Sequence, residues 1–429
     1  MTARALVIAA PSSGAGKTVV SLGLMRALRD AGYAVRAAKS GPDYIDPAFH
    51  AAATGAPSVN LDAWAMDPDT LRTRAASQGG DLLVIEAAMG VLDAGADGKG
   101  SAADLARTLA APVVLVLDVA KQGQSAGMIA AGFHALCPDL TLAGVILNRV
   151  GSARHERIVR GAVEAAGTAV LGVVPRTPDL ALPERHLGLV QAGEHTDLAA
   201  FLTRSADMIS NCIDLGAIHH LARPLAASEG PSLRLPPLGQ RIALAQDKAF
   251  AFAYPHLLTD WHAMGAEILP FSPLANEAPD PSADAIYLPG GYPELHAGRL
   301  ASAQIFRSGM RAAMEKGARV YGECGGFMVL GESLIDAEGK RHEMLGALPV
   351  ETSFAQRKLS LGYRRLTPTP GAPWSAPLLG HEFHYATVIR QDPGNALFEA
   401  EDAEGNTLAS MGLSHNNVSG SFAHIIGLA

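Results

Sequence analysis

Short, nearly unbroken apolar runs alternate along this chain with longer stretches where Ala and Leu share positions with Arg, Asp and Glu. In the first half the apolar runs are RALVIAA (4–10), YAVRAAK (33–39), DLLVIEA (81–87), APVVLVLDV (111–119), LAGVILNRV (142–150) and AVLGVVP (169–175). A strand covered on both faces reads this way, so the runs predict a parallel sheet buried between helices. Connecting stretches such as TVVSLGLMRALRDAG (18–32) supply the helices, and the alternation predicts a doubly wound α/β fold. The pattern lapses in ARPLAASEGPSLRLPPLGQ (222–240), rich in Pro, Gly and Ser. That composition reads as an interdomain linker. A second alternation follows in RIALAQD (241–247), EILPFSP (267–273), AIYLPGG (285–291) and ARVYGEC (318–324). Two α/β domains are therefore expected, 1–222 and 240–429, around a linker at 223–239.

Composition narrows the picture. At 429 residues, 48% hydrophobic and 18% charged, the chain fits a soluble globular protein of two or three domains. The net charge is −8 and no dense run of Lys and Arg occurs, which argues against nucleic acid as a partner. The three cysteines, Cys137, Cys212 and Cys324, are odd in number and far apart. They suggest neither a disulfide framework nor a zinc knuckle, and fit a reducing cytoplasm. ARALVIAAP (3–11) is short and runs into a glycine loop, so it reads as a first strand rather than a signal peptide. No apolar run is long enough to span a bilayer, and no membrane partner is expected.

The glycine loop APSSGAGKT (10–18) joins the first predicted strand to the first helix. Gly14 and Gly16 let backbone N–H groups close around phosphate oxygens. Lys17 can reach the β- and γ-phosphates, and Thr18 can coordinate Mg2+. The standard loop has Gly where Pro11 stands, so the match rests on GAGKT and its strand–loop–helix setting. In AAKSGPDYIDPAFH (37–50), Lys39 can touch phosphate, while Asp43 and Asp46 can hold magnesium or a substrate group. Gly41-Pro42-Asp43 also fits a solvated turn. Its place beyond the end of a strand in an open α/β sheet favours a ligand. Glu86 ends the apolar run of VIEAAMGVLDAG (84–95). An acid there is costly without a partner, so it is expected to join Thr18 around Mg2+. Asp93, in the loop beyond, fits a ligand-side or a solvated acid. Asn148 in GVILNRVGSARH (144–155) can pair with a nucleobase edge or form an Asx turn.

In the second half, YGECGGFMVLG (321–331) flanks Cys324 with glycines between a strand and a predicted helix. This is the layout of a nucleophile elbow, and the helix N-terminus behind the sulfur is expected to favour thiolate. Gly290-Gly291 in YLPGGYPELHAGRL (287–300) can present N–H donors to an oxyanion. His424 in GSFAHIIG (420–427) is a candidate base for Cys324. HEFH (381–384) lacks the spacing of a zinc-protease motif, and no metal besides magnesium is implied.

Taken in order, APSSGAGKT, KSGPDYIDPAFH, EAAMGVLD, ILNRVGSARH, LPGGYPELHAGRL, YGECGGFMVLG, GHEFHY and SFAHIIG closely resemble the cobyrinic acid / hydrogenobyrinic acid a,c-diamide synthase family. The resemblance covers nearly the whole chain. It implies a dethiobiotin-synthetase-like P-loop domain joined to a class I glutamine amidotransferase domain. The implied activity is that of a ligase of cobalamin biosynthesis that amidates two acetate side chains of a corrin polycarboxylate with ATP and glutamine. It also implies Cys324 as glutaminase nucleophile, His424 as its base, and the N–H groups of Gly291 and Gly325 as oxyanion hole. Ser13, Gly14, Ala15, Gly16 and Lys17 would hold the ATP phosphates, with Thr18, Asp43 and Glu86 near magnesium. Tyr44, Asp46, Asp93, Arg185 and His186 would face the corrin. The wider class I group has Glu two residues after its catalytic His, where this chain has Ile426. What orients His424 is thus open, with Glu382 a candidate. NLDAWAM (60–66) resembles the form acting on metal-free hydrogenobyrinic acid. Cobalt-containing cobyrinic acid is the alternative substrate, and cobyric acid synthase the alternative enzyme. A nucleotide-switch protein of the partition ATPase type would need no elbow thiol. A homodimer is expected, as is common in such folds.

Overall fold

Each apolar run of the first half becomes a strand, and two unforeseen ones join them. β1 (Arg4–Ala9), β2 (Val35–Ser40), β3 (Ser58–Leu61), β4 (Leu82–Glu86), β5 (Val113–Asp118), β6 (Leu142–Val150) and β7 (Val170–Pro175) form one sheet in the order β3-β2-β4-β1-β5-β6-β7. Neighbours along this path are all parallel, and the short Arg223–Pro224 strand adds antiparallel to β1. The computed structural model describes residues 4–177, 180, 184–185, 188–392 and 395–429. By contact density the chain divides into Met1–Ser232 and Leu233–Ala429.

Two helices bear on the first unit's chemistry. α1 (Lys17–Asp30) starts directly from the glycine loop, and α2 (Asp46–Thr54) follows β2 with Pro47 in its first turn, where a missing N–H is no loss. β3 escaped the periodicity because it is four residues long and half polar. Its Asn60 side chain donates to Gly41 O at 2.9 Å and Asp43 O at 2.7 Å. The polar residue thus ties down the loop that carries Asp43 and Tyr44.

The second unit begins as expected. Glu267–Phe271, Arg241–Ala245, Ala285–Leu288, Arg319–Glu323 and Val418–Ser421 lie side by side as parallel strands, with Leu413–His415 antiparallel at the edge. Two four-stranded sheets, one mixed and one antiparallel, built from segments between Ser333 and Leu428, had no counterpart in the sequence reading. Their strands carry charged residues at half-buried positions, as in Ser360–Pro368, so they lack the unbroken apolar signature. This addition shapes the site. Val418–Ser421 closes the parallel sheet beside Arg319–Glu323, and the chain turns at once into Ala423–Leu428, which pairs with Leu378–His384. The turn carries His424 to the end of the strand that bears the cysteine. HEFH lies within Leu378–His384, an extended strand and not a helix. No helix among the described residues is long and apolar enough to cross a membrane.

Candidate active sites

The loop between β1 and α1 turns on two left-handed residues, Gly14 at φ 75° and Gly16 at φ 84°. A methyl on Gly16 would fall 2.4 Å from Asn148 Nδ2, so only glycine lets that amide approach. Asn148 donates to Ala15 O at 2.9 Å and accepts the Arg149 N–H at 3.0 Å. Its amide therefore braces the loop. Ser13 is exposed, whereas Ala15 is buried. Lys17 Nζ donates to Met89 O at 2.5 Å and Ser12 O at 3.4 Å. Burial, and then the charge of Lys39, pull its pKa down to about 8.

A buried charge cluster adjoins the start of α1. Glu86 closes β4 with no exposed surface. Its Oε1 accepts from Thr18 Oγ1 at 2.8 Å and Lys39 Nζ at 3.1 Å, and its Oε2 lies 2.8 Å from His50 Nε2. Lys39 Nζ also meets Asp46 Oδ2 at 2.5 Å. Burial works against the Glu86 charge, but Lys39, His50 and Thr18 outweigh it and hold the carboxyl well below its ordinary range. Burial likewise opposes the Lys39 charge, which Asp46 and Glu86 raise above its usual value. Burial and then Asp43 push Asp46 up to about 6.

This wiring departs from the expectation for two residues. Lys39 and Asp46, read as phosphate and corrin contacts, face each other inside the fold. Asp43 Oδ1 accepts the N–H groups of Ile45 at 2.7 Å and Asp46 at 3.1 Å, which shapes the entry to α2. Tyr44 is half-buried, and Asp93 is exposed with Oδ2 accepting the Gly90 N–H at 2.7 Å. His186 lies outside the described residues, and Arg185 is described only as backbone of the short strand Glu184–Arg185. Sequence reasoning missed His50, although it lies one turn after Asp46 on α2 and so shares its face. Thr18 Oγ1 and Glu86 Oε1 supply two adjacent hard oxygens of the kind Mg2+ shares with nucleotide phosphates. Among the described residues, no group of three or more His, Cys, Asp or Glu gathers to hold a metal ion unaided.

The thiol site of the second unit is built differently. Cys324 stands between the Arg319–Glu323 strand and the Gly325–Leu330 helix at φ 47° and ψ −104°, a strained conformation for a residue with a Cβ. Its N–H donates to Ser421 O at 2.8 Å. A methyl on Gly290 would fall 2.3 Å from His424 Cε1, 3.0 Å from His424 Nε2 and 3.2 Å from Cys324 Cβ. The bare glycine thus lets imidazole and cysteine share one small space. Gly291 N lies 3.0 Å from where a methyl on Gly325 would sit, so the two expected oxyanion donors belong to adjoining backbone.

Burial works against charge on both reacting groups. Burial, and then Glu294, push the Cys324 thiol well above its ordinary value. Thiolate favoured by the helix end, the expectation from sequence, is thus overturned: the helix has only six residues and burial outweighs its dipole. Burial, and then His381 and His384, hold His424 well below the usual histidine value. Glu382 is engaged elsewhere, at 2.6 Å from Arg364 Nη2 and 2.8 Å from His384 Nε2. The carboxylate facing His424 Nδ1 is that of Glu323, at 3.9 Å.

Comparisons with known proteins match both units. The pattern described as CobQ/CobB/MinD/ParA nucleotide binding domain matches residues 6–190, and that described as CobB/CobQ-like glutamine amidotransferase domain matches 241–429. A hydrogenobyrinate a,c-diamide synthase of Brucella anthropi is 55% identical over 99% of this chain and 98% of its own. Proteins of the same name from a Sinorhizobium species and from Mesorhizobium japonicum are each 53% identical, the first over 99% of both chains and the second over 100% of both.

Proposed function

Because the chain belongs to the hydrogenobyrinate a,c-diamide synthase family, we propose that it amidates the a and c acetate carboxylates of hydrogenobyrinic acid with ATP and glutamine. The observation that carries this reading is the presence, in one chain, of a phosphate loop wired to buried carboxylates and a strained elbow thiol beside a histidine. In this proposal residues 1–222 are the synthetase, 240–429 the glutaminase and 223–239 the linker. The enzyme works in the cytoplasm as a homodimer, an assembly that sedimentation checks.

The chemistry divides between the units. A carboxylate resists ammonia because its charge repels the nucleophile and oxide is a poor leaving group. Transfer of the ATP γ-phosphoryl to the corrin acetate makes an acyl phosphate, whose leaving group is phosphate. Lys17 and the loop N–H groups from Ser13 to Gly16 hold the phosphates and balance the charge spread over the transferred oxygens. Thr18 and Glu86, with Asp43 nearby, would hold Mg2+, which neutralises phosphate charge when bound. Lys39 keeps the Glu86 carboxylate ionised, and His50 fixes its second oxygen.

In the other unit, His424 takes the Cys324 proton as the sulfur attacks the side-chain amide carbon of glutamine. The oxyanion forms toward the N–H groups of Gly291 and Gly325. Ammonia leaves with the proton that His424 returns, and water clears the thioester to glutamate. Ammonia then attacks the acyl phosphate, and the cycle repeats at the second acetate. Tyr44, Asp93, Arg185 and His186 are proposed on the corrin side.

The experiment is incubation with ATP, Mg2+ and glutamine while hydrogenobyrinic acid and cobyrinic acid are offered in parallel, with amides counted by mass spectrometry. Two amides on hydrogenobyrinic acid are expected. Two on cobyrinic acid alone would transfer the activity to the cobalt-containing substrate. No amide on either, with ATP hydrolysis intact, would sink the proposal.

A further inference from the structure

We infer that Glu323 is the positioning residue of the glutaminase, its carboxylate holding the Nδ1 side of His424 while Nε2 serves Cys324. This rests on the proposed glutaminase role of the second unit and adds the group that orients its base.

The two ring nitrogens of His424 face different surroundings. Nε2 is on the Gly290 side, within the space it shares with Cys324 Cβ, and Nδ1 faces Glu323 Oε2 at 3.9 Å. That separation exceeds a hydrogen bond, so the interaction at rest is one of charge and alignment. The carboxylate itself is fixed. Tyr287 donates its hydroxyl to Oε2 at 2.7 Å, and the Ile425 N–H donates to Oε1 at 3.1 Å. The second donor comes from the residue directly after His424. One carboxylate therefore clasps the backbone beside the histidine and points its other oxygen at the ring.

Glu323 is 1% exposed and His424 fully buried. A buried carboxylate is costly unless something answers its charge. Here the answering charge arises during the reaction, when Nε2 accepts the Cys324 proton and the ring becomes an imidazolium. The proton moves from sulfur to Nε2 and later to departing ammonia, while Glu323, where it starts ionised, does not take it up. A carboxylate on the Nδ1 side also selects the tautomer with hydrogen on Nδ1, which leaves Nε2 free to accept.

Other charged or titratable groups bear on the pair. Tyr287 and Tyr321 flank Glu323, His381 and His384 lie across from His424 on Leu378–His384, and Glu294 and Glu382 act on Cys324. Burial raises Glu323 to about 7, against hydrogen bonds from Tyr287, Ile425 N–H and Tyr321 that favour its anion. Below that pH the carboxyl takes a proton and its support for the imidazolium disappears. Glutaminase activity should therefore fall as pH drops through about 7, even though His424 itself remains neutral there.

The test uses the full chain with Glu323→Gln, which retains shape and removes charge. Glutaminase kcat should fall about 10^2-fold with KM for glutamine within about twofold; the analogous loss in a hydrogen-bonded triad is about 10^4-fold. Amidation driven by ammonium salts should stay at the wild-type rate. The pH profile for alkylation of Cys324 by iodoacetamide should shift, because the Glu323 charge acts on the thiol and faces the imidazole, and Glu323→Asp should recover part of kcat. Kcat within threefold of wild type, with an unmoved alkylation profile, would overturn the inference. If Glu323→Gln does not fold, Tyr287→Phe decides: loss of one donor should lower kcat about tenfold at constant KM, and an unchanged kcat refutes the role. Absence of glutaminase activity in the wild type would instead refute the underlying reading.

Discussion

The phosphate-loop site and the thiol site prepare difficult chemistry by opposite means. Around the loop, Lys39 is already paired with Asp46 and Glu86 inside the first unit, and His50 lies against the second oxygen of Glu86. At the thiol, burial disfavours charge on both Cys324 and His424, and the preparation lies in backbone shape. The difference follows from what each site must bind. Phosphates and magnesium arrive charged and need fixed countercharges that do not reorganise. Glutamine's side-chain amide is neutral, and a permanent thiolate would be exposed to oxidation and alkylation between turnovers.

Variants separate these two strategies. Lys17→Ala should have the largest effect, lowering amidation about 10^3-fold with either glutamine or ammonium as nitrogen source while glutaminase turnover persists. Steady-state assays of each half-reaction check this, and equal loss in both halves would break the comparison. Next in size, Lys39→Met leaves Asp46 and Glu86 buried without their cation. Removing one partner of such a cluster costs about 3–5 kcal/mol, to be read from denaturant unfolding of the first unit. Cys324→Ser should change the stability of the second unit by less than about 1 kcal/mol, read from its own denaturant unfolding.

Gly290→Ala tests the role of shape in the thiol site. The added methyl would fall 2.3 Å from the His424 ring, so glutaminase kcat should drop about 10^2-fold while ammonium-driven amidation is untouched. The smallest effect concerns protons. The Lys17 pKa is lowered to about 8, so part of the free enzyme is deprotonated there between pH 8 and 9. Phosphate oxygens favour the charged form, and ATP binding should take up a fraction of a proton in that range. Calorimetry in buffers of different ionisation heat measures it, and zero uptake would place Lys17 away from the phosphates.

How far these sites were legible depended on how local their signals are. GAGKT and GECGG announce themselves because left-handed glycines and an elbow need particular residues at adjacent positions. Most parallel strands were equally plain, since burial on both faces leaves unbroken apolar runs, whereas β3 and Val418–Ser421 are short and rich in polar residues. His50 and Glu323 were not legible. Each acts across a large gap in sequence, and a lone His or Glu carries no spacing that says which partner it meets. The same holds for the antiparallel strands after Ser333, whose half-buried faces alternate weakly. Lys39 and Asp46 were recognised as important, but their sequence gave no sign that they satisfy one another. Glu382, one candidate to orient His424, is held instead by Arg364 and His384.

The division of labour is tested most directly by Cys324→Ser, with hydrogenobyrinic acid, ATP and Mg2+ supplied alongside either glutamine or ammonium chloride, and the products weighed. The account predicts no amide from glutamine and two amides from ammonium at close to the wild-type rate. Undiminished amidation from glutamine, or none from ammonium by a folded variant that still hydrolyses ATP, would contradict it.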